Sequence, residues 1–162
     1  MQSSSDNKWR RMTFQMSKEL VGALSICEDI RDKGYDTKPL QSYLEMPTDY
    51  LINISSSPFS LHKQKTRLDL LRNHSRNIGT NMIYVNQVGA QDEIVFDGAS
   101  MVLDKDGILR YLGKRFQEDV TVLDLDQPAR DQSMDLIYES NDIYGQALQA
   151  MVLGLQNYLE KT

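Results

Sequence analysis

The chain has 162 residues, of which 40% are hydrophobic and 25% charged, a composition typical of one globular domain rather than a disordered tail or a fibre. Its 23 acidic and 18 basic residues give a formal net charge of −5, and no basic stripe indicates a nucleic-acid partner. The longest apolar runs fall well short of the ~20 residues of a membrane span, which argues against a membrane protein.

The first half of the chain alternates between strand patterns and helix patterns. Residues 12–16 alternate in polarity and predict a strand, and the nearly continuous apolar run at 20–27 predicts a strand covered on both faces. Residues 50–55 predict a second buried strand. Helical spacing predicts a short helix at 39–46 and a longer one at 66–78, which a glycine ends.

The second half predicts five short strands followed by a long helix. The strand segments are residues 81–86, 93–96, 100–103, 108–112 and 120–125. The turn at 104–107 joins the third and fourth of them as a hairpin. The helix carries an apolar stripe that no second long helix of this chain would cover, so we expect it to contact another domain or a partner. The stripe comprises Tyr144, Leu148, Met151, Val152, Leu155 and Leu159.

Parallel strand–helix units combined with hairpins predict an α/β fold, with a mixed sheet layered against helices. In such folds ligand-binding groups gather at the carboxyl ends of strands. Cys27 lies at such an end, where a turn presents a nucleophilic thiol and backbone N–H groups stabilise an oxyanion. A lone cysteine is more often a small core residue, and this alternative stays open here. The two histidines, His62 and His74, lack metal-ligand spacing, so no metal site is predicted.

A second strand end offers binding groups beside Cys27. The strand at 50–55 runs into a Ser-Ser-Ser-Pro loop that contains Ser57, and Lys63 follows six residues later. If the two strands are neighbours, this hydroxyl and this ammonium reach the edge that carries Cys27, and together they would bind a polar small molecule. The alternative is an ordinary polar loop with a solvated lysine.

Four stretches of the chain carry a more specific signal. They are GALSICEDI, DYLINISSSPFSLHKQKTRLDLLRNHSRN, IYVNQVGAQDEIVFDGASMVLDKDG and ALQAMVLGLQNYLEKT. Together they resemble the glutaminase domain of glutamine-dependent NAD synthetases, a branch of the nitrilase superfamily. The resemblance covers most of residues 20–113 and the C-terminal helix, and it implies part of the superfamily's four-layer αββα sandwich.

The resemblance implies glutamine as the substrate and a thioester mechanism. In the family a cysteine attacks the side-chain amide, ammonia leaves, and water hydrolyses the thioester. Cys27 matches the nucleophile, and Ser57 and Lys63 match positions that bind glutamine. Glu28, directly after the nucleophile, is a further candidate for the substrate ammonium. The ammonia serves NAD synthesis in a synthetase domain, so ATP and deamido-NAD are expected to bind there and no cofactor is expected on this chain.

The chain also departs from the family pattern. The family's catalytic glutamate and lysine come from upstream segments without a matching position here, and neither Glu28 nor Lys63 replaces them. Arg31 stands where the family usually has an aromatic residue. The pyrophosphate-binding loop of the synthetase domain has no match either. We therefore expect a partial glutaminase domain over residues 1–126, and a linker helix over 127–162 that leads toward an absent synthetase domain.

These departures predict a chain that is nearly inactive by itself. Open strand edges and apolar faces would favour a homo-oligomer or a complementing chain. Two other interpretations remain, a non-catalytic module that binds glutamine or a partner, and a structural half that complements a separate N-terminal piece. The single cysteine, with no partner for a disulfide, favours the reducing cytoplasm as the compartment.

Overall fold

The computed structural model describes residues 12–31, 36, 38–127 and 131–161, and this part of the chain contains both strands and helices. The strands are β1 (Met12–Gln15), β2 (Val21–Ile26), β3 (Tyr50–Ser55), β4 (Asn81–Asn86), β5 (Val88–Gln91), β6 (Ile94–Asp97), β7 (Met101–Leu103) and β8 (Leu109–Leu112). The helices are α1 (Lys63–Ile78), α2 (Ser133–Asn141) and α3 (Ile143–Glu160). Short 3-10 turns occupy Cys27–Ile30 and Pro39–Tyr43.

Six of the strands form one mixed sheet in the order β1-β2-β3-β4-β7-β8, and β5 pairs with β6 in a separate hairpin. The three strands β2, β3 and β4 run parallel, while β1, β7 and β8 join antiparallel at the two sides. Parallel strands need a crossover between them, and α1 provides the one from β3 to β4. The carboxyl ends of β2, β3 and β4 therefore lie at one edge of the sheet.

Helix α1 covers one face of this sheet and builds the main core. Its Leu68 and Leu71 are buried, and they belong to the same apolar cluster as Leu51 on β3 and Met82 on β4. The opposite face is apolar but open, since Ile26 at the end of β2 is 56% exposed. The equivalent residues of the next two strands, Ile54 and Val85, are also exposed.

Helix α3 packs against the β5–β6 hairpin and not against the large sheet. It buries Gln146, Ala150 and Leu153. The apolar stripe predicted from the sequence lies elsewhere on the helix and is exposed, with Tyr144 at 88% and Met151 at 65%. The stripe is thus uncovered by the described part of this chain.

The predicted fold class, a mixed α/β sheet followed by a long C-terminal helix, is confirmed. The strand predicted at 120–125 is wrong, because this segment forms no strand and Val120 and Val122 are each 96% exposed. Alternating polarity suits a strand, but a strand also needs a neighbour with free hydrogen-bonding groups. The helix predicted at 39–46 is a 3-10 turn at Pro39–Tyr43. Strand β5 is an addition that the sequence patterns did not indicate. The segment predicted as one helix over 127–162 contains two helices, α2 and α3, in its described part.

Other expectations are not decided by the fold. The boundary between residues 126 and 127 stays a prediction. Residues 1–11 lie outside the described ranges. Within those ranges, none of the helices is both apolar enough and long enough to cross a membrane.

Candidate active site

Cys27 begins the 3-10 turn at the carboxyl end of β2, and its neighbours are set by strand pairing. Ile26 on β2 pairs with Ile54 on β3, so Cys27 follows directly beside the point where Ser55 ends β3. The thiol residue is half-buried, and its backbone has a left-handed φ of 48°. For a residue other than glycine this conformation costs about 1–3 kcal/mol, and such strain concentrates at functional sites. The Asp29 carboxylate closes the turn by accepting a hydrogen bond from the Ile26 N–H at 2.8 Å.

A cavity of about 390 Å³ opens at this edge of the sheet. All four residues singled out from the sequence line it, namely Cys27, Glu28, Ser57 and Lys63. The volume falls in the range of ~300–1,000 Å³ that is common for small-molecule sites. The structure thus brings the predicted residues together, while their individual roles stay predictions.

A larger cavity of about 690 Å³ lies against the open face of the sheet. Residues of β4 and β7, such as Ile83 and Val102, form its floor, and residues 119–121 and 123–126 border it. No thiol is among its described lining residues, so the smaller cavity is the one that suits nucleophilic chemistry.

A buried polar ladder supports the turn that carries Cys27. Asn53 on β3 is fully buried, and its side-chain amide donates to the Ser25 hydroxyl at 3.0 Å and to the Cys27 carbonyl at 3.4 Å. Ser55 donates its hydroxyl to the Asn53 side-chain oxygen at 2.6 Å. Buried polar groups are tolerated when they are paired in this way, and such a network holds a unique backbone geometry. The sequence patterns did not single out Asn53. An asparagine inside the otherwise apolar strand YLINIS is nevertheless a signal for a buried polar contact.

The loop after β3 is held by hydrogen bonds to three elements. Ser57 is buried, and its backbone N–H donates to the Asn86 side-chain oxygen at 2.9 Å. Its carbonyl oxygen accepts a hydrogen bond from the Arg67 guanidinium at 2.8 Å. Two residues further, the Phe59 N–H donates to the Val95 carbonyl of β6 at 2.7 Å. The loop is therefore fixed to β4, α1 and the β5–β6 hairpin together.

Arg67 and Asp97 form a buried ion pair behind this loop. The guanidinium lies 2.9 Å from the carboxylate, and the side chains are only 6% and 2% exposed. Arg115 approaches the same carboxylate at 3.5 Å and donates to the Gln146 side chain on α3 at 3.2 Å. Buried charges persist only when they are paired, so this group is a geometric requirement of the fold. The sequence patterns did not predict it, because Arg67 and Asp97 are 30 residues apart.

Lys63 is the first residue of α1, and its ammonium donates to the Pro58 carbonyl at 2.9 Å. Burial lowers the pKa of this amine from its ordinary value of 10.5, and the nearby charges of Arg67 and Arg31 act in the same direction. Asp97 and Glu28 oppose the change in pKa. An ammonium group is able to form a charge-assisted hydrogen bond with a carboxylate.

Glu28 and Tyr84 also line the cavity. Glu28 forms an ion pair with Arg31 at 3.0 Å, with side chains 51% and 45% exposed. Tyr84 on β4 is 1% exposed, and burial raises the pKa of its phenol, which therefore keeps its proton at neutral pH. A protonated phenol is a hydrogen-bond donor available to a ligand or to the serines of the loop.

The two histidines take no part in this cavity as the structure describes it. His62 is exposed and precedes α1, and His74 is buried with its Nε2 atom 2.6 Å from the Ile30 carbonyl oxygen. Among the residues that the structure describes, no group of three or more potential ligands from His, Cys, Asp and Glu could hold a metal ion.

Comparison with known proteins adds a sequence relationship. No protein-family model matches the chain. A curated relative, the glutamine-dependent NAD(+) synthetase of Synechocystis sp., is 30% identical over 152 residues, which are 89% of this chain and 27% of that protein. The chain spans about a quarter of the length of this relative, and about the same share of the glutamine-dependent NAD(+) synthetases of Acinetobacter baylyi and Xylella fastidiosa.

Solved structures agree with this relationship. The glutamine-dependent NAD+ synthetase from Acinetobacter baumannii, in complex with adenosine diphosphate, superposes with a TM-score of 0.71 and 25% identity over 93% of this chain and 28% of that one. An amidase of the nitrilase superfamily from Nesterenkonia sp. AN1 superposes with a TM-score of 0.52 over 63% of this chain and 36% of that one, and its 15% identity shows the fold alone. In another structure of that amidase, the acetamide moiety of fluoroacetamide is bound covalently at the active site cysteine.

We expect Asp97→Asn to destabilise the chain by about 3–5 kcal/mol, because it removes the buried carboxylate that Arg67 and Arg115 share. The free energy of unfolding in urea, followed by circular dichroism, measures this effect. The matched control is Asp69→Asn on the exposed side of α1, which should change stability by less than about 0.5 kcal/mol. Equal stability of the two variants would contradict the importance of the buried pair.

The pKa of the Lys63 amine should lie below its ordinary value of 10.5, because burial disfavours the ammonium form. The pKa of Lys63 is lower in the folded chain than in the unfolded chain, so protonation of this amine lowers the free energy of unfolding. The free energy of unfolding should therefore increase as the pH rises from the folded-state pKa to the unfolded-state pKa. Carbon-13 NMR of the reductively dimethylated protein, with Lys63→Arg to assign the signal, measures the titration. A midpoint at or above the ordinary value would contradict the desolvated position.

Proposed function

Since the chain is related to one part of the glutamine-dependent NAD(+) synthetases and has part of the nitrilase fold, we propose that it supplies the cysteine-bearing portion of a glutaminase site. One observation carries this proposal. Cys27, Ser57 and Lys63 line a single cavity at the carboxyl ends of parallel strands. The covalent adduct at the active site cysteine of the Nesterenkonia amidase, a protein of the same fold, supports Cys27 as the reacting group.

In the proposed reaction the Cys27 thiolate attacks the side-chain amide carbon of glutamine and forms a tetrahedral oxyanion. The intermediate collapses, the carbon–nitrogen bond breaks, and the nitrogen leaves as ammonia after taking up a proton. Water then attacks the thioester, which releases glutamate and returns the thiol. The strained turn and the Asn53 ladder behind it keep the nucleophile in place through both steps.

Substrate binding uses the groups around the thiol. The Lys63 ammonium pairs with the α-carboxylate of glutamine, and the Ser57 hydroxyl contributes a hydrogen bond. Glu28 is the candidate partner of an α-ammonium, but its carboxylate already pairs with Arg31 at 3.0 Å. Arg67 does not need to touch the substrate, because its hydrogen bonds to the carbonyls of Ser57 and Pro58 already hold the binding loop.

The chain alone should have little activity. Among the described residues that line the cavity, the one carboxylate is Glu28 and the one lysine is Lys63. Lys63 matches a substrate-binding position of the family, and neither residue replaces the family's catalytic glutamate or lysine. The family's catalytic glutamate and lysine have no matching position in the 162 residues. A missing oxyanion donor costs about 10²–10³ in rate, and a missing general base about 10²–10⁴.

The proposal extends to partners and compartment. The open apolar face around Ile26 and Ile54, together with the exposed stripe of α3, supports association with a second copy or with a complementing chain. ATP and deamido-NAD would bind to a synthetase domain, and amide cleavage at Cys27 needs no cofactor. A thiolate mechanism requires a reduced Cys27, which suits the cytoplasm.

A second candidate function is a module that binds glutamine without cleaving it. The observation in its favour is that the described cavity holds the binding groups Ser57 and Lys63, whereas its carboxylate Glu28 already pairs with Arg31. Binding without turnover, even when the missing catalytic groups are supplied, would distinguish this function from the first.

A chimera tests the proposal, with residues 20–161 replacing the matching segment of the Synechocystis synthetase. We expect the chimera to release ammonia from glutamine, and Cys27→Ser to lower the rate by at least about a thousandfold. Lys63→Met should raise the KM for glutamine, and Lys105→Met, in an exposed turn, is the matched control that should leave it unchanged.

The outcomes separate the two functions. A folded chimera that binds glutamine without releasing ammonia would favour the binding module. A folded chimera that does neither would contradict the proposal. Ammonia release by the 162 residues alone, abolished by Cys27→Ser, would contradict the expected inactivity of the isolated chain.

A further inference from the structure

The charges on the wall of the Cys27 cavity are unequal in number. Among the described lining residues Arg31, Lys63 and Arg67 are cations, and Glu28 is the only carboxylate. Arg67 has its own carboxylate in the buried Asp97, and Arg31 has Glu28. Lys63 instead donates to a neutral backbone carbonyl. The wall therefore has an unbalanced positive charge at Lys63, where a ligand carboxylate would bind.

The pairing of Glu28 limits what this carboxylate can do for a ligand. Its side-chain oxygen lies 3.0 Å from the Arg31 Nε atom, and the backbone reinforces the contact because the Arg31 N–H donates to the Glu28 carbonyl at 2.8 Å. A substrate ammonium at Glu28 would have to compete with a guanidinium that is already in place. Since both side chains are about half exposed, the pair adds little stability, but its charges still act on a ligand in the cavity.

We propose that Arg31 is a specificity-determining residue. By occupying Glu28 and adding positive charge, it makes the cavity recognise an amide by its carboxylate and not by its α-ammonium. Monoamides of short dicarboxylic acids that lack the amino group, such as glutaramate, then bind as well as glutamine. This inference rests on the proposed function of the same cavity and names the substrate class for it.

The single cysteine allows the charge effect to be measured directly on the 162-residue chain. Iodoacetate and iodoacetamide alkylate the same thiolate with the same leaving group, but only iodoacetate is anionic. The rate constant for iodoacetate divided by the rate constant for iodoacetamide therefore reports the electrostatic potential at Cys27. This ratio is independent of the fraction of Cys27 present as thiolate. Peptide mass spectrometry confirms that Cys27 is the alkylated residue.

Arg31→Gln should lower this ratio about threefold, which is the order expected for one unit charge acting over several ångström in a largely aqueous setting. Glu28→Gln should raise the ratio by a similar factor. The control Lys105→Gln removes the same charge as Arg31→Gln from an exposed turn and should leave the ratio unchanged.

An Arg31→Gln ratio equal to that of the control would overturn the proposal. A change in the same direction for both cavity variants would also overturn it, because opposite signs are what an electrostatic role requires and a loss of structure does not produce.

Protection of Cys27 against iodoacetamide tests the substrate class. In the unaltered chain we expect the half-protecting concentrations of glutaramate and glutamine to agree within about threefold, and in Arg31→Gln we expect glutamine to become about fivefold better because Glu28 is released to the ammonium. Protection of the unaltered chain by glutamine at concentrations more than about tenfold lower than glutaramate would overturn this inference and leave the proposed function intact. Protection by neither compound would overturn the proposed function itself.

Discussion

The parallel pairing of β2 with β3 is the constraint on which the candidate site depends. In an antiparallel pair the two strands would end at opposite edges, and the turn of Cys27 could not face the loop of Ser57. The pairing of Ile26 with Ile54 instead places these two segments side by side. Asn53 then connects the strands through side chains, because it contacts Ser25 and the Cys27 carbonyl from within β3. The register of β2 and β3 is therefore fixed by the backbone hydrogen bonds between the strands and also by the side-chain hydrogen bonds of Asn53.

The buried charges of Arg67, Asp97 and Arg115 stabilise the contacts between the elements that surround the candidate site. Arg67 on α1 connects the loop after β3 with the β5–β6 hairpin, since it donates to the Ser57 carbonyl and pairs with Asp97 at the end of β6. Arg115 extends the same contact to α3 through Gln146. A side chain in the cavity and a residue on the C-terminal helix are therefore connected by paired polar contacts. Because an unpaired charge in this position is costly, the loop, the hairpin and α3 are stabilised as a unit.

Local patterns were sufficient for much of the fold but not for its long-range contacts. Strands β3 and β4 were predicted with their observed bounds, because apolar runs between turn residues are a local signal. Their predicted burial holds for one face only, since Ile54 and Val85 on the other face are exposed in the described structure. The cavity residues could be grouped because strand ends converge in an α/β sheet. Residues 120–125 were misread, since polarity alone does not show whether a neighbouring strand is available. The Arg67–Asp97 pair could not be predicted either, because it depends on how α1 and β6 meet and not on any pattern within them.

The proposed function requires Cys27 to be an accessible nucleophile in the cavity that binds the amide substrate. A crystal structure of the chain with bound glutamine tests it most directly. We expect the amide carbon to lie about 3–3.5 Å from the Cys27 sulfur and the α-carboxylate to lie at Lys63, a geometry from which attack can proceed. A sulfur enclosed by aliphatic side chains, with glutamine bound elsewhere on the molecule, would contradict it.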